Sequence, residues 1–187
     1  VSGDLWVFAY GSLMWNPGFD FLESRRGRLY GYHRALCVRS LTYRGTTDDP
    51  GLVVGLDRGG SCVGLVYRVA ARNTAEVVAY LDERESVGTV YRPITGHVVA
   101  EGEHIDARAY VAHREGTEYT GKLPPERQIE IVLRCAGIYG TNVDYLRNTV
   151  VHLDALGISD GPLHAIWRAV EARLLATPPT FAPTAGV

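Results

Sequence analysis

The chain has 187 residues, of which 46% are hydrophobic and 21% charged, values of a globular protein that buries a sizeable core. A formal net charge of −2 and a pI near 6.3 count against a partner held by a general basic field, whether nucleic acid or anionic membrane. Lys122 is the single lysine, it sits in a Gly- and Pro-flanked loop, and no GxxxxGK[ST] string exists, so a P-loop is excluded and Schiff-base chemistry is disfavoured.

In chain order, the apolar run LWVFA at residues 5–9 predicts a buried strand. Tyr10, Gly11, Ser12 and Leu13 follow it, then a turn at Asn16, Pro17 and Gly18. Residues 25–40 mix aromatic, β-branched and basic side chains in loose alternation and predict a long twisted strand. A turn at 46–51 leads to two strands, 52–56 and 62–69, around a Gly-rich hairpin at 57–61. The spacing predicts a helix over 74–85, with Asn73 and Glu76 as a capping pair. Two strands are expected at 90–99 and 107–112. Three helices are expected at 124–135, 142–156 and 162–176, the second capped by Thr141 and the third preceded by Asp160.

Strands fill the first two thirds and helices the last third. That order predicts an α+β fold with a mostly antiparallel sheet or open barrel. No internal repeat or long linker divides the chain, so one domain is expected over 1–176, with a Pro-rich, frayed tail at 177–187. Cys37, Cys62 and Cys135 are too few and too widely spaced for a disulfide framework. No apolar run reaches the length of a membrane span, and the first residues lack a basic n-region and carry Asp4. A cytoplasmic location is therefore expected, although the sequence opens on Val1 and not on Met.

Glu85 is the most informative residue. On the 74–85 helix, Val77, Val78 and Leu81 form an apolar stripe, and Glu85 falls on it. Its place at the helix C-terminus sets the macrodipole against its charge. Burial and the dipole both raise a carboxyl pKa, which suits a general acid/base. The competing reading pairs Glu85 with Arg84 or Arg92. Asp82 and Glu83 read as members of the solvated face.

A glycine directly after a buried strand lets the backbone turn and approach a ligand, and consecutive N–H groups around Gly11 and Ser12 can hold a carboxylate. An ordinary strand-ending turn accounts for the same residues. Ser12 lacks a GxSxG context and has no histidine placed as its base. No two of the six histidines form a metal-ligand pair, so no metal is expected. Arg44, beside a turn, can grip a carboxylate with its planar fork, or lie on the surface. The Tyr119 hydroxyl can orient a substrate or cap a loop.

These strings together resemble the ChaC-like γ-glutamylcyclotransferases. FAYGSL, from Phe8 and Ala9 through Tyr10, Gly11 and Ser12 to Leu13, looks like the N-terminal signature of that family. YLDERE, ending at Glu85, looks like its helix carrying a catalytic Glu. Tyr43-Arg44-Gly45 with Pro50-Gly51, CVGLVYR from Cys62, Tyr119-Thr120-Gly121 and AGIYGTNVDYL from Ala136 resemble its later motifs in the same order. The resemblance spans about residues 5–176. It implies a small mixed fold built on a β-barrel with flanking helices. It also implies intramolecular cleavage of glutathione to 5-oxoproline and cysteinylglycine, with no metal or organic cofactor.

Carried over residue by residue, the resemblance makes Glu85 the proton acceptor and donor. Phe8, Ala9, Tyr10, Gly11, Ser12, Leu13, Arg44, Tyr91 and Tyr119 become the substrate-binding set. Two departures stand out. Ala9 takes a place where the family often has Gly, and the string from Ser86 to Tyr91 replaces a closer Gly-Gly-Tyr. The expected partner is a small molecule, with neither nucleic acid nor membrane. A non-catalytic γ-glutamyl or anion-binding module and a Ser- or Cys-dependent hydrolase are the alternatives.

Overall fold

A computed structural model describes residues 3–86 and 88–176; the expected tail at 177–187 lies outside the described residues. Five strands form a closed barrel in the order β1-β3-β2-β4-β5: β1 (Leu5–Ala9), β2 (Glu23–Ser40), β3 (Gly51–Val69), β4 (Tyr91–Ala100) and β5 (Glu103–Ala112). All neighbours are antiparallel except β1 and β5, which close the barrel in parallel at Val7 and Arg108. Helix α1 (Thr74–Arg84) links β3 to β4, and α2 (Pro125–Arg134), α3 (Asn142–Ala155) and α4 (Gly161–Ala176) follow the barrel. Two-residue strands β6 (Ala136–Gly137) and β7 (Gly140–Thr141) form a small hairpin before α3. The α+β class and the barrel with flanking helices are as expected.

The local chemistry explains most boundaries. Val7, Phe8 and Ala9 are fully buried in β1, and Val66, Leu29, Val98, Ala107 and Ala109 join them from the other strands. Thr141 caps α3, its Oγ1 accepting the Asp144 N–H at 3.0 Å. Asp160 accepts the Leu163 N–H at 3.2 Å at the start of α4. Asn73 is a correction: it makes no side-chain cap bond, because it closes a 3-10 turn (Ala71–Asn73) that runs directly into α1.

The Gly-rich stretch at 57–61 is not a turn. It continues β3, with Asp57 and Arg58 opposite His33 and Tyr32. The register slips between Tyr30 and Tyr32, and Gly31, Gly59 and Gly60 all hold positive φ. The same backbone freedom that marks a hairpin here serves a bulge, which bends one long ribbon into a barrel wall.

Strand β1 pairs only with the second half of β3, from Leu65 to Val69. The outer edge of β3 near Gly51–Val54 therefore lacks a strand, and side chains supply its hydrogen bonds. The Asn142 amide imitates a strand: its Oδ1 accepts Leu52 N–H at 2.6 Å and its Nδ2 donates to Leu52 O at 2.7 Å. Asn142 is fully buried. Asn142→Ala orphans both Leu52 groups and should lower unfolding free energy by about 2–4 kcal/mol in urea titration. A loss below about 1 kcal/mol would mean that this edge is satisfied in another way.

Candidate active site

A small cleft, partly open to solvent, lies where α1 ends against the turn after β1. Helix α1 buries Val77 and Leu81 against the barrel. Glu85 follows Leu81 by one turn and is the C-cap residue, its N–H bonded to Leu81 O at 2.9 Å. The stripe thus carries the carboxyl into the cleft, where its side chain is only 15% exposed. Burial pushes its pKa up to about 7, opposed by the Arg84 guanidinium, whose Nε lies 3.8 Å from Glu85 Oε1.

The opposite wall is the segment Tyr10, Gly11, Ser12 and Leu13. A 3-10 turn begins at Ser12, and the Gly11 O accepts the Met14 N–H at 2.9 Å. The N–H groups that open such a turn have no acceptor inside it. Behind the segment, the buried Arg34 Nε donates to Tyr10 O at 2.6 Å. Across a planar trans peptide, the Gly11 N–H points opposite to that carbonyl, away from Arg34. Arg34 also donates to Val63 O and Asp160 Oδ2, each at 2.8 Å.

Tyrosines complete the walls. Tyr91 Oη donates to Val54 O at 2.9 Å, so toward the cleft it can only accept. Tyr145 Oη accepts Val54 N–H at 3.0 Å, so its own proton remains to be donated. Tyr110 Oη donates to Asp82 and accepts from Arg108 Nε at 2.8 Å. Burial holds all four phenols, Tyr10, Tyr91, Tyr110 and Tyr145, above their ordinary pKa. They stay neutral at pH 7, and among the cleft residues Glu85 alone titrates near neutrality.

Of the residues expected from the sequence, Tyr10, Gly11, Ser12, Leu13, Glu85 and Tyr91 meet in this cleft. The altered stretch after Glu85 still returns Tyr91 to it. Phe8 and Ala9 do not line it; they are core residues of β1. Arg44 stands outside, its guanidinium over the Tyr145 ring at 5.7 Å and bonded to Tyr139 O at 2.6 Å. Tyr119 is elsewhere, bonded to Asp57 Oδ2 at 2.8 Å because its loop packs along β2 at Val38. Asp82 keeps about a third of its side chain exposed, as a solvated-face residue would, but β5 brings Arg108 and Tyr110 to hydrogen-bond it. Val54, Tyr110 and Tyr145 are cleft residues that the sequence reading passed over.

No histidine lines the cleft, so Ser12 has no imidazole beside it, and Ser12 Oγ instead accepts from Arg84 Nη2 at 3.1 Å. All three cysteines are buried, and burial pushes the Cys37 thiol up to about 12. Among the described residues, no group of three or more His, Cys, Asp or Glu is placed to hold a metal ion. No helix among them is long and apolar enough to cross a membrane.

This barrel, with its flanking helices, has the γ-glutamylcyclotransferase fold. A crystal structure of a yeast γ-glutamylcyclotransferase specific to glutathione matches with a TM-score of 0.81 at 19% identity, over 91% of this chain and 97% of the yeast chain. Within that class, the chain belongs to the ChaC-like protein family, whose model matches residues 5–173. The Escherichia coli glutathione-specific γ-glutamylcyclotransferase is 33% identical over 94% of this chain and 76% of its own length. The human glutathione-specific γ-glutamylcyclotransferase 1 is 34% identical over 96% of this chain and 82% of its own length.

Proposed function

We propose that this chain cleaves glutathione to 5-oxoproline and cysteinylglycine, with Glu85 as the proton carrier. The observation that carries this reading is one desolvated carboxyl, with a pKa near 7, facing the backbone donors of the turn after β1. The relatives named above supply the substrate class. A small-molecule substrate and a single domain over 1–176 belong to the same reading.

The chemistry requires no enzyme nucleophile. The substrate α-amine attacks its own γ-carbonyl carbon, a five-membered lactam forms, and the bond to the cysteine nitrogen breaks. The amine starts as an ammonium, with a free pKa of about 8. Glu85 takes one proton to free the amine for attack and relays a second as the ring closes. Both protons that leave the amine end on the departing cysteine nitrogen, which goes from amide N–H to ammonium, so no net proton is consumed. A pKa near 7 suits both transfers, since neither protonation state is strongly favoured.

The N–H groups of Gly11, Ser12 and Leu13 receive the α-carboxylate of the γ-glutamyl group. Tyr91, which can only accept, faces the ammonium; Tyr145, with a proton to give, faces the developing oxyanion. Arg44, its guanidinium over the Tyr145 ring from outside the cleft, is the cation assigned to the substrate's far carboxylate. Folding the substrate onto itself between these walls supplies proximity, which can be worth up to about 7–11 kcal/mol.

Product analysis tests the reading. Purified protein with millimolar glutathione is expected to release equimolar 5-oxoproline and cysteinylglycine. Free glutamate in place of 5-oxoproline would reveal hydrolysis and overturn it. Binding of glutathione with no turnover would favour the non-catalytic module.

A further inference from the structure

We infer that Arg84 is a positioning residue: its guanidinium fastens the substrate-binding turn to the helix end that carries Glu85. This rests on the proposed reaction, to which it adds a residue. Arg84 precedes Glu85 in the last turn of α1 and spends its donors on the facing loop. Nη2 donates to Ser12 Oγ at 3.1 Å. Nη1 donates to Asn16 O at 2.8 Å, to Pro17 O at 3.3 Å, and to Tyr80 Oη at 2.8 Å. Its Nε lies 3.8 Å from Glu85 Oε1.

Two further features make this a built junction. Gly18 holds φ +76° so closely against Tyr80 that a Cβ there would stand 2.1 Å from the phenol oxygen. The loop is therefore pressed onto the same Tyr80 that Arg84 bonds. Ser12 Oγ, by accepting from Arg84, keeps its own proton for an acceptor in the cleft. One planar fork thus sets the loop's height over the base and the polarity of the Ser12 hydroxyl, a task that a lysine's single ammonium cannot reproduce.

The same group is the charge nearest to Glu85. The groups that face Glu85 from other elements are phenols: Tyr10 from the turn after β1, Tyr91 from β4, Tyr110 from β5 and Tyr145 from α3. None is charged at neutral pH, so Arg84 is the one group lowering a carboxyl that burial raises. Removing its charge moves the Glu85 pKa up; keeping the charge but losing the fork leaves the pKa and loosens the loop.

Arg84→Gln and Arg84→Lys separate the two effects. The Glu85 carboxyl is titrated by carbon-13 NMR, assigned by the signal lost in Glu85→Gln, while kcat and KM for glutathione are measured in parallel. In Arg84→Gln, the carboxyl is expected to titrate about one unit higher than in the parent. In Arg84→Lys, it should stay within about half a unit while KM rises roughly tenfold. Tyr80→Phe removes one partner and no charge, and should raise KM severalfold with the titration unmoved. It keeps the test informative should either Arg84 variant fail to fold.

An unmoved carboxyl in Arg84→Gln, or parental KM in both Arg84→Lys and Tyr80→Phe, overturns the inference. The titration needs no turnover. A parent protein that released no 5-oxoproline would therefore sink the proposed reaction while leaving the junction's electrostatics to be judged separately.

Discussion

Glu85→Gln is expected to fold like the parent and to release 5-oxoproline at least about a hundredfold more slowly, the scale of general acid–base catalysis. The amide keeps the shape and the hydrogen-bonding edge but can neither take the ammonium proton nor return one. A rate within a few-fold of the parent would remove Glu85 from the reaction. The same substitution should stabilise the protein. In the unfolded chain Glu85 ionises near its ordinary pKa, and in the folded chain near 7. Between those values the folded state holds the extra proton, so stability falls as pH rises through that window, and the cost is complete above 7. At pH 8 the relief in Glu85→Gln is about 3 kcal/mol, and below about pH 4 it vanishes. Urea titrations of both proteins at the two pH values measure it. The site thus stores instability that its proposed chemistry requires.

Arg34→Ala is the substitution with the largest expected effect on folding. The Arg34 side chain is 1% exposed, its partner Asp160 12%, and their closest N–O distance is 2.8 Å. Removing the guanidinium leaves a mostly buried carboxylate without its cation and takes an N–H donor from each of Tyr10 O and Val63 O. Breaking a buried pair from one side costs about 3–5 kcal/mol. Urea denaturation should show a loss of that order. The variant should also bind substrate more weakly, because the Tyr10 carbonyl is then free to turn and carry the Gly11 N–H with it. A destabilisation below about 1 kcal/mol would contradict this account of Arg34.

Local pattern and distant topology divided what could be read from the sequence. Glu85 was legible because it shares a periodic stripe with Val77 and Leu81, a signal confined to one helix. The turn after β1 was legible because a glycine directly follows an apolar run. Asp82 shows the complementary limit. One position round from the stripe it reads as solvated and it stays partly exposed, but its bonds to Arg108 and Tyr110 come from β5, which no local pattern shows. Phe8 and Ala9 entered the candidate site with their motif, but a motif does not say which of its residues are strand core.

Tyr145 shows where more could have been drawn from pattern, and Arg34 where it could not. On α3, Asn142, Tyr145 and Thr149 recur on the face that also buries Leu146 and Val150. Polar residues repeating on a buried stripe signal a helix that covers unpaired backbone, here the edge of β3. Arg34 gives no such signal. Its oxygen partners come from residues 10, 63 and 160, which only the closed barrel and the start of α4 assemble. The glycines at 59 and 60 were read as a hairpin and Gly31 passed unnoticed within a strand, because whether such glycines form a turn or a bulge depends on the opposite strand.

The pH dependence of 5-oxoproline release from glutathione tests the central claim most directly, because it joins the reaction to the group proposed to carry the proton. With Glu85 ionising near 7, kcat/KM should fall about tenfold per unit as pH drops below about 7 and should level off just above it. A release rate that stays constant down to about pH 5 would contradict the account, since it would leave the reaction without the neutral-range base that the cleft is built around.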